Sequence, residues 1–263
     1  MPNNYTEINL EKLNQESENI VNQWQNPKET NTKHFFIDNL LSSELCTDIY
    51  NSFPKDGDGF FNRNTFREKK KTSVNLKEYN KNLSDISYAI QDPRVVEKIG
   101  ELLDLKNLEP DPTLYASGLS MMFENDYLNP HIDNSHDAKR NKYRRLNLLY
   151  YVSPKWEYDF GGNFELWDEK VNSQKTIISC FNRLLVMETN RKSWHSVSKV
   201  AVDRPRCCVS SYFFSNNSPG EKEYFHVTSF NGRPNQNFKR IISPIDNVIR
   251  NLFSKMTKFG RGK

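Results

Sequence analysis

The chain has 263 residues and a formal net charge of +4, and 36% of its residues are hydrophobic, with aromatic residues making up 13%. This length and aromatic content favour a single domain built on one core, with decorated ends. The mild, local positive charge does not indicate dedicated nucleic-acid binding. No 18-residue apolar run or N-terminal apolar leader occurs, which predicts no membrane span and a cytoplasmic location with reduced thiols.

The first 33 residues predict a polar, helical N-terminal extension. Apolar residues in 8–24 recur at helical spacing, which indicates an amphipathic helix packed on the body. Residues 34–41 predict a strand that runs into a turn. Residues 42–53 predict a helix that begins after Ser42 or Ser43.

Two further helices are predicted within 82–105, because Asp92-Pro93 is a typical opening of the second one. The loop before them contains a basic stretch, 63–71, which favours a solvated surface over an anion-binding one. From residue 113 the composition changes to short β-branched and aromatic segments separated by turn residues. These segments are 113–124, 144–153, 163–168, 175–188, 193–201 and 206–215.

The pattern predicts an antiparallel sandwich or barrel core over about 113–215, with helices contributed by the preceding part. We therefore expect a mainly β domain over 34–215. A C-terminal extension, 216–263, follows it, with a helix over 244–256 and a basic tail.

The motif "NPHIDN" places His131 and Asp133 two positions apart. Residues i and i+2 of a strand share one face, so this imidazole and this carboxylate can reach the same point. His195 lies in a later β segment and is the natural third ligand, because His34 and His226 belong to the terminal parts. Two imidazoles and a carboxylate form a facial triad, which leaves positions open on an iron ion.

Oxygen activation at such an iron needs electrons from a co-substrate. If that co-substrate is 2-oxoglutarate, its distal carboxylate requires an arginine. Alternation in "RPRCCVSSYFF" places Arg206 and Ser210 on one face of a strand, together with Cys208 and Tyr212. Arg204 is the competitor of Arg206, but it precedes Pro205, where the chain is still turning.

The segments "NPHIDN", "LNLLYYVSPKWEYDFGGNFELWD", "HSVSKV" and "RPRCCVSSYFFS" together resemble the Fe(II)- and 2-oxoglutarate-dependent dioxygenases of the prolyl 4-hydroxylase-like branch, over about 34–215. The resemblance implies a double-stranded β-helix with Fe(II) on His131, Asp133 and His195. It also implies that Arg206 binds the C5 carboxylate of 2-oxoglutarate, with Tyr115 or Ser210 assisting. Since Asp133 is present, the resemblance favours hydroxylation over halogenation.

Four residues are candidate substrate contacts. His136 and the charged loop 134–145 follow the HxD motif, and this loop is the candidate substrate lid. Arg145 and Asn147 alternate on a strand that should face the barrel, although a core amide and an exposed arginine explain them equally well. Arg233 lies in the C-terminal extension, where it could reach the mouth of the pocket.

Three functions are compatible with these patterns. The first is a hydroxylase of a small molecule, such as an amino acid, a sugar-linked or a natural-product intermediate, and the cations of the loop 134–145 favour a negatively charged one. It uses Fe(II), 2-oxoglutarate and O₂ and is compatible with stimulation by ascorbate. The second is a protein hydroxylase acting on prolyl residues. The third is a cupin-like binding module without catalysis. The sequence is also compatible with a homodimer.

Overall fold

The computed structural model describes residues 4–115, 117–220 and 222–257 of the chain, with side chains up to Ser254. The helices are α1 (Tyr5–Gln15), α2 (Ser17–Gln25), α3 (Ser43–Asn51), α4 (Lys81–Ile90), α5 (Pro93–Leu103) and α6 (Asn237–Thr257). The strands are β1 (His34–Asp38), β2 (Phe61–Asn64), β3 (Glu68–Ser73), β4 (Gly118–Met122), β5 (Tyr127–Ile132), β6 (Tyr143–Tyr151), β7 (Phe164–Trp167), β8 (Gln174–Ile177), β9 (Arg183–Glu188), β10 (His195–Val197), β11 (Arg206–Ser215) and β12 (Ser229–Phe230).

All the strand pairs are antiparallel, and the strands follow the order β1-β9-β6-β11-β4-β3-β5-β10-β7-β8, with β12 added to β5 and β2 added to β3. Strands distant in sequence are neighbours, as in β11 with β4 and β10 with β5. This arrangement is the jelly roll, or double-stranded β-helix, flanked by helices. The predicted fold class is confirmed.

The N-terminal helices share the main hydrophobic core with the sheet. Leu13, Ile20 and Trp24 are buried in the same cluster as Leu146 and Val209 of the central strands. The sequence pattern predicted one helix over 8–24, but the structure has two, which break at Glu16. Glu16 leaves helical geometry there, and its backbone N–H still closes the last turn of α1.

The basic stretch 63–71 is not a solvated loop, as the sequence suggested, but contains parts of β2 and β3. β3 pairs with both β4 and β5, so it crosses one side of the barrel. Its alternate residues Glu68, Lys70 and Thr72 face an internal cavity. Because both faces of this strand carry polar residues, no hydrophobic alternation marks it in the sequence.

The C-terminal extension is an ordered part of the fold. β12 pairs with β5, and α6 begins seven residues earlier than the predicted start at 244 and runs through Pro244. The predicted basic tail lies outside the described residues after Thr257. Among the described helices, none combines the length and the apolar character needed to cross a bilayer.

Asn182 ties the β1–α3 connection to the sheet. Its side chain donates to the Leu41 carbonyl (2.6 Å) and accepts from the Leu41 N–H (3.1 Å) and the Tyr150 hydroxyl (2.8 Å). The residue is 1% exposed and has a φ of 62°, a conformation that Asn tolerates better than most residues.

We expect Asn182→Ala to lower the free energy of unfolding by about 3 kcal/mol, because three buried hydrogen bonds are lost. Asn182→Gly removes the same bonds but permits the positive φ, so it should recover about 1 kcal/mol of that loss. Chemical denaturation measures both, with the exposed Asn26→Ala as control. A loss below about 1 kcal/mol for Asn182→Ala would contradict this assignment.

Candidate metal and 2-oxoglutarate site

Pairing between β5 and β10 brings the three predicted metal ligands together. His131 and His195 are directly opposite each other in the register, and Asp133 follows the end of β5. One ligand atom from each of the three residues lies within 4.8 Å of the others, and all three residues are buried. The carboxylate oxygens of Asp133 lie 3.7 Å from Nε2 of His131 and 3.6 Å from Nε2 of His195.

Both imidazoles are oriented by the backbone. Nδ1 of His131 contacts the Asn129 carbonyl oxygen (3.0 Å), and Nδ1 of His195 contacts the Ser193 carbonyl oxygen (2.9 Å). A carbonyl only accepts, so each Nδ1 carries the proton and each Nε2 presents a lone pair to the centre of the site. Burial lowers the pKa of both rings, which keeps them neutral. The Phe230 ring stacks on His131 with centroids 5.4 Å apart.

Two polar residues of strand β6 lie next to Asp133. The Arg144 guanidinium lies 3.4 Å away, and the Asn147 amide lies 3.5 Å away. Burial by itself raises the pKa of this carboxyl, but Arg144 and then the two imidazoles outweigh that effect, and the pKa falls to about 2. The triad therefore offers two neutral nitrogens and a carboxylate, a donor set that suits Fe(II).

The triad opens into a cavity of about 530 Å³ inside the barrel. The walls come from β3, β4, β6 and β11, whereas residues 225–230 and α6 cover one side. Three groups of contacts hold this cover in place. Arg67 forms an ion pair with Asp246, Arg140 donates to Ser254, and Asn247 bonds the backbone of Phe230.

Arg206 lies in the same cavity as the triad and is 3% exposed. Its Nε donates to the Ser179 hydroxyl (3.2 Å), and Nη1 has only a weak contact with the Met122 sulfur (3.6 Å). The Tyr151 ring lies 4.7 Å from the guanidinium, and its buried hydroxyl lies beside Arg206 and Ser179 without a well-formed hydrogen bond. A buried cation beside an unpaired hydroxyl fits the distal carboxylate of 2-oxoglutarate.

Gly162 permits the position of Arg206. Its φ is +60°, and a Cβ at this residue would lie 2.8 Å from Cδ of Arg206. Any larger residue would therefore push the arginine side chain aside. The absence of a side chain at Gly162 therefore leaves the space that the Arg206 side chain occupies.

Of the other predicted cofactor residues, two line the cavity and one does not. Ser210 and Tyr115 both line the cavity, and the Ser210 hydroxyl donates to the Gly118 carbonyl oxygen (3.2 Å). Arg204, the competitor of Arg206, lies away from the cavity lining. It donates to the Pro154 carbonyl oxygen (2.8 Å) and packs on Phe160.

The four predicted substrate contacts also separate into two groups. His136 and Asn147 line the cavity. Arg145 instead donates to the Asn217 carbonyl oxygen (3.2 Å). Arg233 forms an ion pair with Glu165 (2.7 Å), so it lies behind the strand of His195 rather than at the mouth.

Sequence analysis missed Arg144, because it assumed regular alternation along β6. The register with β11 pairs Leu146 with Phe213 and Arg144 with Phe214, so Arg145 is an extra residue in a bulge. Arg144 therefore faces the cavity, stacked on Tyr212 (3.9 Å), with Nε and Nη2 buried and unpaired. Nothing in the sequence indicates this bulge. Tyr151 was also missed, although it shares the face of Asn147 by alternation.

Residues 117–214 match the family model described as the 2OG-Fe(II) oxygenase superfamily. A segment of 88 residues is 30% identical to the mouse (Mus musculus) protein "Prolyl 3-hydroxylase OGFOD1". The match spans 31% of this chain and 16% of the mouse protein.

Two solved structures share the fold. A prolyl hydroxylase from Trichoplax adhaerens, solved with a peptide fragment of hypoxia inducible factor, superposes with a TM-score of 0.59 at 19% identity, over 78% of this chain and 92% of the other. A prolyl-4-hydroxylase from Pseudomonas putida gives 0.56 at 12% identity, over 78% and 100%. Both are prolyl hydroxylases by name.

Residues 117–214 therefore match the 2OG-Fe(II) oxygenase superfamily, and the chain shares the jelly-roll fold of the two solved prolyl hydroxylases. The superfamily that this segment matches uses Fe(II), 2-oxoglutarate and O₂. The resemblance inferred from the four sequence motifs is confirmed.

We expect His195→Ala to weaken Mn(II) or Fe(II) binding by more than about 100-fold, because one of three protein ligands is lost. Metal content after dialysis, measured by mass spectrometry, checks this. His34→Ala is the matched control, because His34 is also buried with its Nδ1 on a backbone carbonyl but lies in β1. Equal metal content in the two variants would refute the ligand role.

Arg206→Ala should raise the Kd of 2-oxoglutarate about 100-fold in the metal-loaded protein, since a charge-assisted pair with the distal carboxylate is removed. Arg204→Ala should leave that Kd within about twofold, because its side chain contacts Pro154 and Phe160. Calorimetric titration gives both constants. The reverse order of effects would transfer the role to Arg204.

Proposed function

We propose that the protein is a dioxygenase that couples the decarboxylation of 2-oxoglutarate to the hydroxylation of an unactivated C–H bond. The observation that carries this proposal is the location of the triad and Arg206 in one buried cavity. We also propose a cytoplasmic location, which the free thiols of the four cysteines support.

His131, Asp133 and His195 would hold Fe(II), and Arg206 with Tyr151 would hold the distal carboxylate of 2-oxoglutarate. When bound, the metal and 2-oxoglutarate would activate O₂, which is the oxidant of the C–H bond, with 2-oxoglutarate as the source of two electrons. The protein would orient the metal ligands and exclude water from the cavity. The backbone carbonyls of Asn129 and Ser193 orient the two imidazoles, and Arg144 keeps Asp133 ionised. Residues 225–230 and α6 cover the cavity.

For the substrate we favour a small molecule that carries a carboxylate or another anionic group. Cationic side chains outnumber carboxylates among the cavity-lining residues by six to three. The cations are Arg63, Lys70, Arg140, Arg144, Arg206 and Arg250, and the carboxylates are Glu68, Asp133 and Asp137. Among the described cations of this cavity, Arg144 contacts the triad at Asp133, and two of its nitrogens, Nε and Nη2, have no hydrogen-bond partner. The covered cavity also suits a compact substrate.

A prolyl residue in a polypeptide is the second candidate. The mouse relative supports it, because that protein is named a prolyl 3-hydroxylase and the matched segment is 30% identical. The cavity would then receive one side chain, with the flanking peptide outside the α6 cover. A non-catalytic cupin-like module remains the outcome that turnover assays would have to exclude.

Substrate-dependent release of succinate, with Fe(II), 2-oxoglutarate and ascorbate present, is the expected result of a screen of metabolites and peptides. A gain of one oxygen atom on a metabolite supports the first candidate, and the same gain on a proline-containing peptide supports the second. No substrate-dependent succinate with either pool, from metal-loaded protein, would contradict the proposed activity.

Arg144→Gln should raise the KM for an anionic substrate about 30-fold, because it removes the buried cation that pairs with the anion. Because Arg144 also pairs with Asp133, the KM is compared on metal-loaded protein, in which the Kd of 2-oxoglutarate should stay within about threefold. Arg145→Gln is the neighbouring control, because its side chain is turned towards Asn217. Equal KM changes in both variants would remove Arg144 from the substrate site.

A further inference from the structure

Helix α6 has its polar and apolar faces reversed relative to an ordinary surface helix. Every exposed residue between positions 238 and 253 is apolar. The seven large ones are 58 to 74% exposed, namely Phe238, Ile241, Ile245, Val248, Ile249, Leu252 and Phe253. A surface helix normally turns such a stripe towards the core.

The polar residues of α6 are used for contacts with the body instead. Asp246 pairs with Arg67, Asn247 bonds the backbone of Phe230, and Asn251 accepts from the Val227 N–H. Arg240 donates to backbone and side-chain oxygens of the loop 170–172. These contacts fix the orientation of the helix, so the apolar stripe cannot turn inwards without breaking them.

The stripe has the spacing of a helix-packing seam. Phe238, Ile241, Ile245, Val248 and Leu252 follow one another at intervals of three, four, three and four residues, which is the repeat that lets two helices pack side by side. No charged residue lies on it among the described positions, so it offers nothing to recognise an oppositely charged partner.

The size of the stripe matches the needs of a dimer. Seven large apolar side chains at this exposure present on the order of 800 Å² of surface, which is about what each partner contributes to an interface of standard size. Contiguous apolar patches above a few hundred Å² are rare on monomers.

We propose that the apolar stripe of α6 packs against the same stripe of a second copy of this chain, forming a twofold homodimer. Such an isologous contact needs a self-complementary surface, which an uncharged, regularly spaced stripe provides. Ile245 lies at the middle of the stripe and therefore faces its own copy near the twofold axis.

A membrane surface fits the helix less well. Helices that lie in a bilayer interface place Lys and Arg on their polar face, towards the headgroups. Here Arg240 and Arg250 contact the protein body, and Asp246 lies between them on the inner side. The cations are therefore directed away from the outer apolar stripe.

The proposed interface would also border the cavity. Ile249 and Phe253 belong to the exposed stripe and line the cavity as well. The second copy would therefore lie beside the cavity mouth and narrow it.

Light scattering coupled to size-exclusion chromatography tests the dimer. We expect a particle of twice the 31.0 kDa chain mass for the metal-loaded, full-length protein at micromolar concentration. Ile245→Glu should shift it to the monomer mass, because a charge would be buried at the twofold axis. Tyr158→Glu, a similar change at an exposed aromatic residue outside α6, should leave the dimer intact.

A monomeric wild-type protein would overturn the proposal, as would an Ile245→Glu protein that keeps the dimer mass. Sedimentation of a monomeric wild type with phosphatidylcholine–phosphatidylserine vesicles would assign the stripe to a membrane instead, and would also overturn it.

A second variant covers the case in which Ile245→Glu fails to fold. Ile245→Cys should form a covalent dimer with a short thiol crosslinker, whereas the wild type and Tyr158→Cys should not. Three of the native cysteines are buried, and Cys180 is partly buried, so the wild type controls for their reaction. No crosslinked dimer of Ile245→Cys above the two controls would count against the proposal.

Discussion

The pairing of β5 with β10 is the constraint on which the rest of the structure depends. It places His195 opposite His131, and the end of β5 then brings Asp133 to the same point. A shift of one residue in this register would turn one imidazole to the other side of the sheet and separate the three ligands. Both strands have neighbours on their other edges, β3 and β12 for β5 and β7 for β10, so the register is supported from several directions.

The electrostatics of the cavity follow from that arrangement. A carboxylate buried beside two imidazoles needs a cation, and Arg144 supplies it from β6. Arg206 lies on β11, with Gly162 leaving room for its side chain. The proposed roles of the two arginines are therefore separate: Arg144 would support the metal ligand and keep N–H groups for a substrate, whereas Arg206 would bind the co-substrate.

Much of this site could be predicted from the sequence, because strand alternation is a local property. His131 with Asp133, and Arg206 with Ser210, share faces by period two, and the structure has them on the cavity side. The prediction chose Arg145 instead of Arg144 as the residue that faces the cavity, because the bulge in β6 depends on the pairing with β11. The polar strand β3 and the outward apolar face of α6 could not be predicted from the sequence either, because tertiary contacts such as that of Arg67 with Asp246 set their orientation.

The central claim is that three side chains from β5 and β10 bind one ferrous ion beside a carboxylate site at Arg206. A crystal structure of the protein grown anaerobically with Mn(II) and 2-oxoglutarate tests it most directly, since anomalous scattering locates the metal. The account predicts one ion bound by Nε2 of His131, Nε2 of His195 and the Asp133 carboxylate, with the distal carboxylate of 2-oxoglutarate on Arg206. A metal bound elsewhere, or a 2-oxoglutarate carboxylate paired with another cation, would contradict it.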